Sequence, residues 1–242
     1  MYFNLTNFNQ HKIPKIVDQT FMSKNLPSDI ISIMNDNKKM CPDYTFLFYD
    51  DHDCDSFIKN NFDSYTYRAY TSINPVYGAM KADFFRYCIL YKNGGVYLDI
   101  KSKIIQPLNK LIQEKDECLL DVPRSIESWR KKSPTYEQWV LMFAPRHPYL
   151  LEVIRTMVSL IHAKYEPTIE NINVLTTKQK ILHVTGPDMF SRCIHHYLKH
   201  HKILHRNIDY CKWFLWCSSN YIKMYRMNKK LHYSEYKEPL YK

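Results

Sequence analysis

The residues that most constrain this chain lie at 81–101, where a helical pattern, two glycines and a short apolar run follow one another. From Ala82 to Leu90, apolar residues recur at the three- and four-residue spacing of one helix face. Gly94-Gly95 ends this pattern, because glycine adopts the positive backbone angles of helix C-termini. Val96–Leu98 is β-prone and typical of a buried strand. The stretch predicts a helix, a turn and a strand ending at Asp99, where α/β sheets place reactive groups.

Glycine is scarce in the rest of the chain, which makes its placement informative. The sequence has only four glycines, and three of them stand in turns that adjoin a carboxylate. Gly94 and Gly95 precede Asp99, whereas Gly186 precedes Asp188. Two ordinary turns are the simpler interpretation, but the shared neighbourhood of acids favours functional turns. Asp99 and Asp188 therefore become candidate site residues.

Three blocks of the sequence resemble one family. The block A-D-F-F-R-Y-C-I-L-Y-K-N-G-G-V-Y-L-D at 82–99 resembles the core of the glycosyltransferases with a D-X-D motif, above all family thirty-two. That family includes initiating mannosyltransferases and bacterial capsular sugar transferases. I-P-K-I-V-D-Q-T-F at 13–21 resembles its opening motif, and H-V-T-G-P at 183–187 resembles its later T-G-P turn. The resemblance implies a single α/β domain of the GT-A type over residues 1–242, with a mostly parallel twisted sheet flanked by helices.

The resemblance also implies a reaction and a donor site. The family moves a hexose from a UDP- or GDP-sugar to a hydroxyl of a glycan or protein acceptor, and the likeness implies retention of anomeric configuration. Asp83 and Arg86, three residues apart on one helical face, match the pair that binds the donor sugar. A carboxylate accepts from hydroxyls and a guanidinium donates to them, so the pair suits a polyol. The alternative is a plain surface ion pair. Tyr97 shares the strand face of Asp99 and joins the donor-binding set.

The family's D-X-D motif is altered here to Asp99-Ile100-Lys101. A charged lysine cannot ligate a hard cation such as Mn²⁺ or Mg²⁺. Asp99 binds such a cation with the phosphates and a later side chain, or Lys101 itself supplies positive charge to the diphosphate. A third interpretation is an inactive module that only binds sugar nucleotides or glycans. Relatives complete the metal site from their C-terminal tail, and His232 is the candidate for that role.

The ends of two other elements supply further candidates. Gln19, Thr20 and Phe21 follow the first predicted strand and match positions that hold the nucleoside. Phe21 either stacks on the base or belongs to the core. In the T-G-P turn, Gly186 and Asp188 match the acceptor side of the cleft. Asp188 is either a sugar ligand or a partner of the helix dipole.

Two polar clusters are not expected to be metal sites. Asp50-Asp51-His52-Asp53 stands at a predicted helix start, where acids are usually caps. His195–His201 places His196 and His200 on one helix face, but the sequence has no H-E-x-x-H motif there, so a solvated helix end is favoured.

Composition excludes several classes of protein. The N-terminal stretch 1–12 is a loose lead-in without the features of a signal peptide, and no apolar run is long enough to span a bilayer. The seven cysteines form no C-x-x-C pair, which favours buried thiols in a reducing, cytoplasmic compartment. The wealth of Lys, Asn, Ile and Tyr favours an AT-rich microbial or viral genome.

The C-terminal segment 200–242 is basic and aromatic within a chain of net charge +10. No helix-turn-helix, zinc-finger or RNP pattern accompanies it, which argues against specific nucleic-acid binding. Attraction of an anionic sugar nucleotide, contact with an acidic membrane surface, and a merely solvated surface all remain open. The sequence leaves the oligomeric state undetermined.

Local patterns predict the remaining elements. Strands are expected at 15–17, 43–49, 103–105, 118–122 and 138–144, and helices at 27–39, from 50, at 65–72, from 76, at 148–163 and at 187–199.

Overall fold

The computed structural model describes residues 12–122, 135–168, 175–216 and 232–242. The strands are β1 (Ile16–Thr20), β2 (Thr45–Tyr49), β3 (Gly95–Leu98), β4 (Ser102–Ile104), β5 (Cys118–Asp121), β6 (Val140–Phe143), β7 (Arg206–Ile208) and β8 (Phe214–Trp216). The helices are α1 (Ser28–Met40), α2 (Asp51–Asn61), α3 (Ser64–Ser72), α4 (Gly78–Asn93), α5 (Leu108–Leu111), α6 (Pro148–His162), α7 (Thr177–Val184) and α8 (Pro187–Leu198).

The main sheet has six strands in the order β2-β1-β3-β6-β5-β7. β1 runs parallel to β2 and β3, and β5 runs parallel to β7, whereas β6 is antiparallel to both β3 and β5. Parallel pairs therefore outnumber antiparallel ones, and helices cover the sheet. This confirms the predicted α/β fold with a mostly parallel sheet. β4 and β8 form a separate antiparallel pair beside it.

The central helix α4 is buried along most of its length and ends where the glycines require it to end. Its residues from Phe84 to Leu90 are almost inaccessible to solvent. Gly94 caps it at φ +67° and Gly95 follows at φ +105°. A Cβ on Gly94 would lie 2.7 Å from Pro145, and one on Gly95 would lie 2.9 Å from the carbonyl oxygen of Ile16. Close packing and positive φ both demand glycine, which confirms the predicted helix, turn and strand.

Most predicted elements are present with boundaries shifted by a few residues. The prediction at 103–105 corresponds to β4, which lies outside the main sheet because it pairs with β8. The helix expected from Val76 begins at Gly78, since Asn74 accepts a hydrogen bond from the Val76 amide in the preceding turn. The sequence patterns did not identify α7, β7 or β8.

The last residues of the chain return to the start of α4. We define residues 232–242 as the C-terminal strap. The Asn74 amide nitrogen donates to the Leu240 carbonyl at 2.9 Å, and the Asn74 side chain donates to Pro239 at 2.9 Å. The Lys242 amide donates to Ser72 at 2.9 Å, and the Tyr77 hydroxyl donates to the Glu238 carbonyl. These bonds fix the strap across one side of the cleft described below.

The predictions about membrane-spanning segments and about buried cysteines can be compared with the described residues. Over the described ranges, no helix combines the length and the apolar composition that crossing a membrane requires. Five described cysteines are buried free thiols, while Cys211 is exposed. Residues 1–11 of the N-terminal lead-in and Cys217 lie outside the described residues.

Candidate functional site

A cleft of about 840 Å³ opens where β1 and β3 end, beside the first half of α4. Such a volume suits a ligand the size of a nucleotide sugar. The floor consists of charged side chains from α4 and from the end of β3. One side carries β1, α2 and α3, and the other carries α7, β8 and the C-terminal strap. Five of the predicted residues line its central part: Asp83, Arg86, Tyr97, Asp99 and Lys101.

Asp83, Arg86 and Asp99 form a single charged group, which we call the floor triad. Nη2 of Arg86 lies 3.1 Å from Oδ1 of Asp83 and 3.3 Å from Oδ1 of Asp99. Asp83 and Arg86 are 5% and 6% exposed, which excludes the plain surface ion pair left open by the sequence. The guanidinium therefore joins the helix carboxylate to the carboxylate at the strand end.

Neighbouring polar groups hold the floor triad in place. Gln138 donates from Nε2 to Oδ1 of Asp83 at 3.1 Å, and its carbonyl accepts from Nη1 of Arg86 at 2.7 Å. The Thr185 hydroxyl donates to Oδ2 of Asp83 at 2.9 Å. The Tyr87 hydroxyl lies within hydrogen-bonding distance of the Thr185 carbonyl oxygen, at 2.8 Å, and of the Gln138 side-chain oxygen, and it shares its one proton between them. A group with this many partners is preorganised, because its rotamers are fixed before ligand binds.

Burial shifts the protonation of the triad. It raises the pKa of Asp83 to about 6, although Arg86 and the Thr185 hydroxyl oppose the rise. Burial alone would lower the pKa of Arg86, but the carboxylates of Asp83 and Asp99 hold it above its usual value. Asp83 is thus ionised near neutral pH and becomes protonated in mild acid, while Arg86 stays charged.

Tyr97 supports the guanidinium from the strand. Its ring lies 4.6 Å from the Arg86 guanidinium carbon, within the range of a cation–π contact. The ring is almost fully buried, and burial raises the pKa of its hydroxyl well above its usual value. Tyr97 contributes a neutral platform to the floor.

Lys101 reaches into the same cleft from the turn after β3. Its Nζ lies 4.0 Å from the centre of the Trp216 ring, and the residue is 6% exposed. Burial lowers the pKa of Lys101 to about 8, against the attraction of Asp99. The lysine is therefore still largely charged at neutral pH. Lys101 therefore brings a cation into the cleft with Asp99, at the position where a D-X-D spacing would have its second carboxylate.

His232 lies in the strap and lines the cleft with Asp99. Burial, Lys101 and Lys178 lower its pKa, so the imidazole is neutral at pH 7. A neutral imidazole and a carboxylate in one cleft are donors that fit Mn²⁺ or Mg²⁺ completed by phosphate oxygens. The ligand assignment of Asp99 and His232 stays a prediction.

The acids at the start of α2 are helix caps, as the sequence analysis expected. Asp50 accepts from the Asp53 amide at 2.9 Å, and Asp53 accepts from the Asp50 amide at 3.2 Å. Asp50, His52 and Asp53 stand close enough to share a cation, but the reciprocal capping bonds already account for both carboxylates.

The three residues expected to hold the nucleoside occupy different places. Thr20 and Phe21 line the cleft, whereas the buried Gln19 side chain does not. Phe21 also packs with Ile30 and Ile100, so it belongs to a small core cluster as well as to the cleft wall. The Thr20 hydroxyl donates to the Tyr49 carbonyl at 2.9 Å.

Gly186 and Asp188 do not line the cleft, although Pro187 between them does. A Cβ on Gly186 would lie 2.7 Å from the Leu182 Cα, so this glycine allows α7 and α8 to pack closely. Asp188 is buried beside His183, whose Nδ1 is 3.3 Å from its carboxylate. Both residues therefore stand behind the predicted acceptor side, and their functional role stays a prediction.

Gln138 and Thr185 are site residues that the sequence reasoning missed. Thr185 stands in the T-G-P turn and could have been found from that motif, but only Gly186 and Asp188 were predicted from it. For Gln138, the sequence offered no motif, only a position just before a predicted buried strand. Both contact Asp83 from segments more than fifty residues away along the chain.

Part of the first half of the chain is similar to a known family. Residues 16–117 match the model of the glycosyltransferase sugar-binding region containing a DXD motif. Mannosyl phosphorylinositol ceramide synthase CSH1 of Saccharomyces cerevisiae is 32% identical over 148 residues, which are 60% of this chain and 35% of that protein. The initiation-specific alpha-1,6-mannosyltransferase of Candida albicans is 25% identical over 209 residues, 76% of this chain and 53% of that protein. The chain thus spans about a third to a half of these relatives.

Solved structures share the fold. The glycosyltransferase PaToxG aligns with a TM-score of 0.57 at 17% identity, covering 78% of this chain and 70% of its own. The UDP-bound glycosyltransferase domain of the YGT toxin aligns with a TM-score of 0.53 at 8% identity, covering 88% and 82%. Both agree with the predicted GT-A architecture.

Proposed function

We propose that this chain contains a glycosyltransferase domain of the family-thirty-two type, which transfers a hexose from a nucleotide-diphosphate sugar to a hydroxyl acceptor. Mannose is the first candidate for the hexose, because similar proteins are named mannosyltransferases. The observation that carries the proposal is the floor triad, held buried at the base of a cleft large enough for the donor.

The triad supports binding of the donor sugar. Asp83 and Asp99 accept hydrogen bonds from hydroxyls, and Arg86 between them donates. Because Gln138 and Thr185 fix Asp83, the sugar meets a rigid arrangement rather than flexible side chains. Rigid positioning lowers the entropic cost of reaching the transition state.

Lys101 and Arg86 support the leaving diphosphate. Both are cations beside Asp99, and a buried cation stabilises developing negative charge more strongly than an exposed one does. Asp99 and His232 would hold Mn²⁺ or Mg²⁺, which when bound neutralises further charge on the diphosphate. Lys101 reduces the charge that such a cation must supply.

In the proposed reaction, the bond between the sugar's anomeric carbon and the diphosphate oxygen breaks while the acceptor hydroxyl oxygen forms the new bond. The hydroxyl proton passes to the departing phosphate oxygen, so atoms and charge balance. Attack on the face that the diphosphate leaves gives retention and requires no protein nucleophile. A reaction without a protein nucleophile agrees with the cleft, because we assign the role of nucleophile to none of its described residues.

The acceptor side is proposed to be the wall formed by α7 and the strap. Lys178, Leu182 and Glu235 line it together with Tyr236. Such a mixed surface suits a glycan, a glycosylated protein or the head of a glycolipid. Relatives named inositol phosphoceramide mannosyltransferases make a phosphoinositol headgroup a suitable member of an acceptor panel. The cytoplasmic location stays a prediction.

The test is turnover of GDP-mannose and several UDP-hexoses by the whole chain, with and without Mn²⁺, against sugar and glycolipid acceptors. Transfer is expected with one donor and should be lost in Asp99→Ala. Asp36→Ala is the matched control, because Asp36 is a carboxylate in a surface pair with Lys103. Equal activity of wild type and Asp99→Ala would contradict the proposal.

The second candidate function is an inactive module that binds sugar nucleotides. Lys101 favours it, because the cation stands where the D-X-D motif has a carboxylate. Binding of a nucleotide sugar without hydrolysis or transfer under every metal condition would support the module and reject the enzyme.

A further inference from the structure

Lys81 is a cation in the cleft that the proposed reaction does not use. It lies in the first turn of α4 and lines the cleft. Its Nζ stands 4.3 Å from the centre of the buried Tyr70 ring. Across the described ranges, its ammonium forms no salt bridge and no side-chain hydrogen bond. It is therefore a donor held over an aromatic face with its hydrogen-bonding capacity still available.

Lys81 and Lys101 line one cleft but have different charged neighbours. The charged groups that act on Lys101 are Asp99 and Arg86. Those that act on Lys81 are Asp55, Asp51 and Lys242. Among these neighbours, Asp51 also lines the cleft and stands in the first turn of α2, close to where β1 ends at Thr20. We call the part of the cleft around Lys81 and Asp51 its α2 end.

The charges at the α2 end favour an uncharged polar ligand group. One carboxylate, Asp51, and one ammonium group, Lys81, line this end. Asp55 and Lys242 act on Lys81 from outside the lining and are likewise one acid and one base. The balance gives no net attraction for a diphosphate, which the cations near Asp99 serve better. A neutral group with its own donors and acceptors fits, and the donor's nucleobase is such a group. This step rests on the proposed function.

We propose that Lys81 and Asp51 read the edge of the nucleobase and select uracil or guanine over adenine or cytosine. Uracil and guanine present a carbonyl oxygen beside a ring N–H, so Lys81 can donate to the oxygen while Asp51 accepts from the N–H. Adenine and cytosine present an amino group beside an unprotonated ring nitrogen, the reverse pattern. Thr20 and Phe21 would border the nucleoside, as expected from their place at the carboxyl end of β1.

The test is calorimetric titration of the whole chain with UDP, GDP, ADP and CDP. At least one of UDP and GDP should bind roughly tenfold or more tightly than ADP and CDP, since one hydrogen bond to a charged group is worth about that ratio. Comparing UDP with GDP identifies which of the two bases the site takes. Lys81→Met keeps the apolar stem over Tyr70 but should reduce the tighter binding roughly tenfold and leave ADP binding unchanged.

Controls separate base reading from other roles. Lys92→Met removes an exposed lysine from the same helix and should leave all four affinities unchanged. The unfolding temperature of each variant verifies that it is folded. Equal binding of all four nucleotides by wild type, or an equal loss for all four in Lys81→Met, would overturn the assignment. Failure to bind any nucleotide would instead refute the proposed function.

Discussion

The two sides of the cleft are built in contrasting ways. The floor triad comes from a stretch of seventeen residues, Asp83 to Asp99, within one helix, one turn and one strand. The opposite wall comes from α7, β8 and the strap, which lie more than seventy residues further along the chain. The floor is buried and connected by side-chain hydrogen bonds, whereas the strap of the opposite wall is attached largely through its backbone carbonyls, to which Asn74, Tyr77 and Thr177 donate. The floor therefore carries the groups proposed to bind the donor sugar, whereas the wall carries the proposed acceptor surface together with the proposed metal ligand His232.

The largest effect is expected from Arg86→Met, which tests whether the floor is a unit. Two buried carboxylates would lose their shared cation, so the free energy of unfolding should fall by about 3 kcal/mol. Transfer should fall by on the order of 10³-fold, because the donor site loses its central charge. Urea denaturation and turnover measure the two effects.

Lys103→Met is the matched control, since its pair with Asp36 is largely exposed. Its free energy of unfolding should change by less than about 1 kcal/mol. A similar small effect for both variants would show that the floor triad is no more important than a surface pair.

Lys101→Asp tests how the charge beside Asp99 divides between lysine and metal. A second carboxylate restores the D-X-D spacing, so donor turnover should become roughly tenfold more dependent on Mn²⁺. Turnover measured over a Mn²⁺ series gives this dependence. Lys103→Asp, two residues further along, is the control. An unchanged metal response with full activity would reject the role given to Lys101.

Donor binding should weaken in mild acid because of Asp83. Burial raises its pKa to about 6, and Arg86, Asp99, Gln138 and Thr185 face it. Below that pH the carboxylate gains a proton and no longer accepts from a hydroxyl with full charge. Affinity for the donor should therefore be constant above pH 7 and fall roughly tenfold per pH unit below about 6.

Asp83→Asn provides the control for this pH dependence. The variant should bind the donor more weakly but with an affinity that hardly changes between pH 5 and 7, when measured by calorimetry. If wild type and Asp83→Asn lost donor affinity equally below pH 6, the pH dependence would come from a group other than Asp83.

The smallest effect is expected in the opposite wall. Asn74→Ala removes the side-chain bond to Pro239 and should lower the free energy of unfolding by about 1 kcal/mol. It should also raise KM for the acceptor a few-fold while donor hydrolysis stays unchanged. Asn61→Ala is the control, because Asn61 makes an equivalent side-chain bond to Phe57 away from the strap. Equal KM values for both variants would contradict an acceptor role for this wall.

The same contrast explains what the sequence could predict. Local spacing and the need for glycine at positive φ were enough to place Asp83, Arg86 and Asp99 on one helix and strand. Pairing between distant segments was not visible, so the partners Gln138 and Thr185 were missed. The contact between the Lys101 ammonium and the Trp216 ring could not be predicted either, because it depends on the pairing of β4 with β8.

The predicted residues of the T-G-P turn show the limit of motif position as a guide. Gly186 has a packing reason to be glycine, and Asp188 is buried beside His183 rather than in the cleft. A turn motif specifies a backbone shape, but which side chains reach the cleft depends on how α7 and α8 pack.

The most direct test of the central claim is a crystal structure of the chain with an unhydrolysed nucleotide sugar and Mn²⁺. The diphosphate should lie beside Asp99 and Lys101, with sugar hydroxyls in hydrogen-bonding contact with Asp83 and Arg86. A donor bound elsewhere, or bound in the cleft with its sugar away from Asp83 and Arg86, would contradict the account.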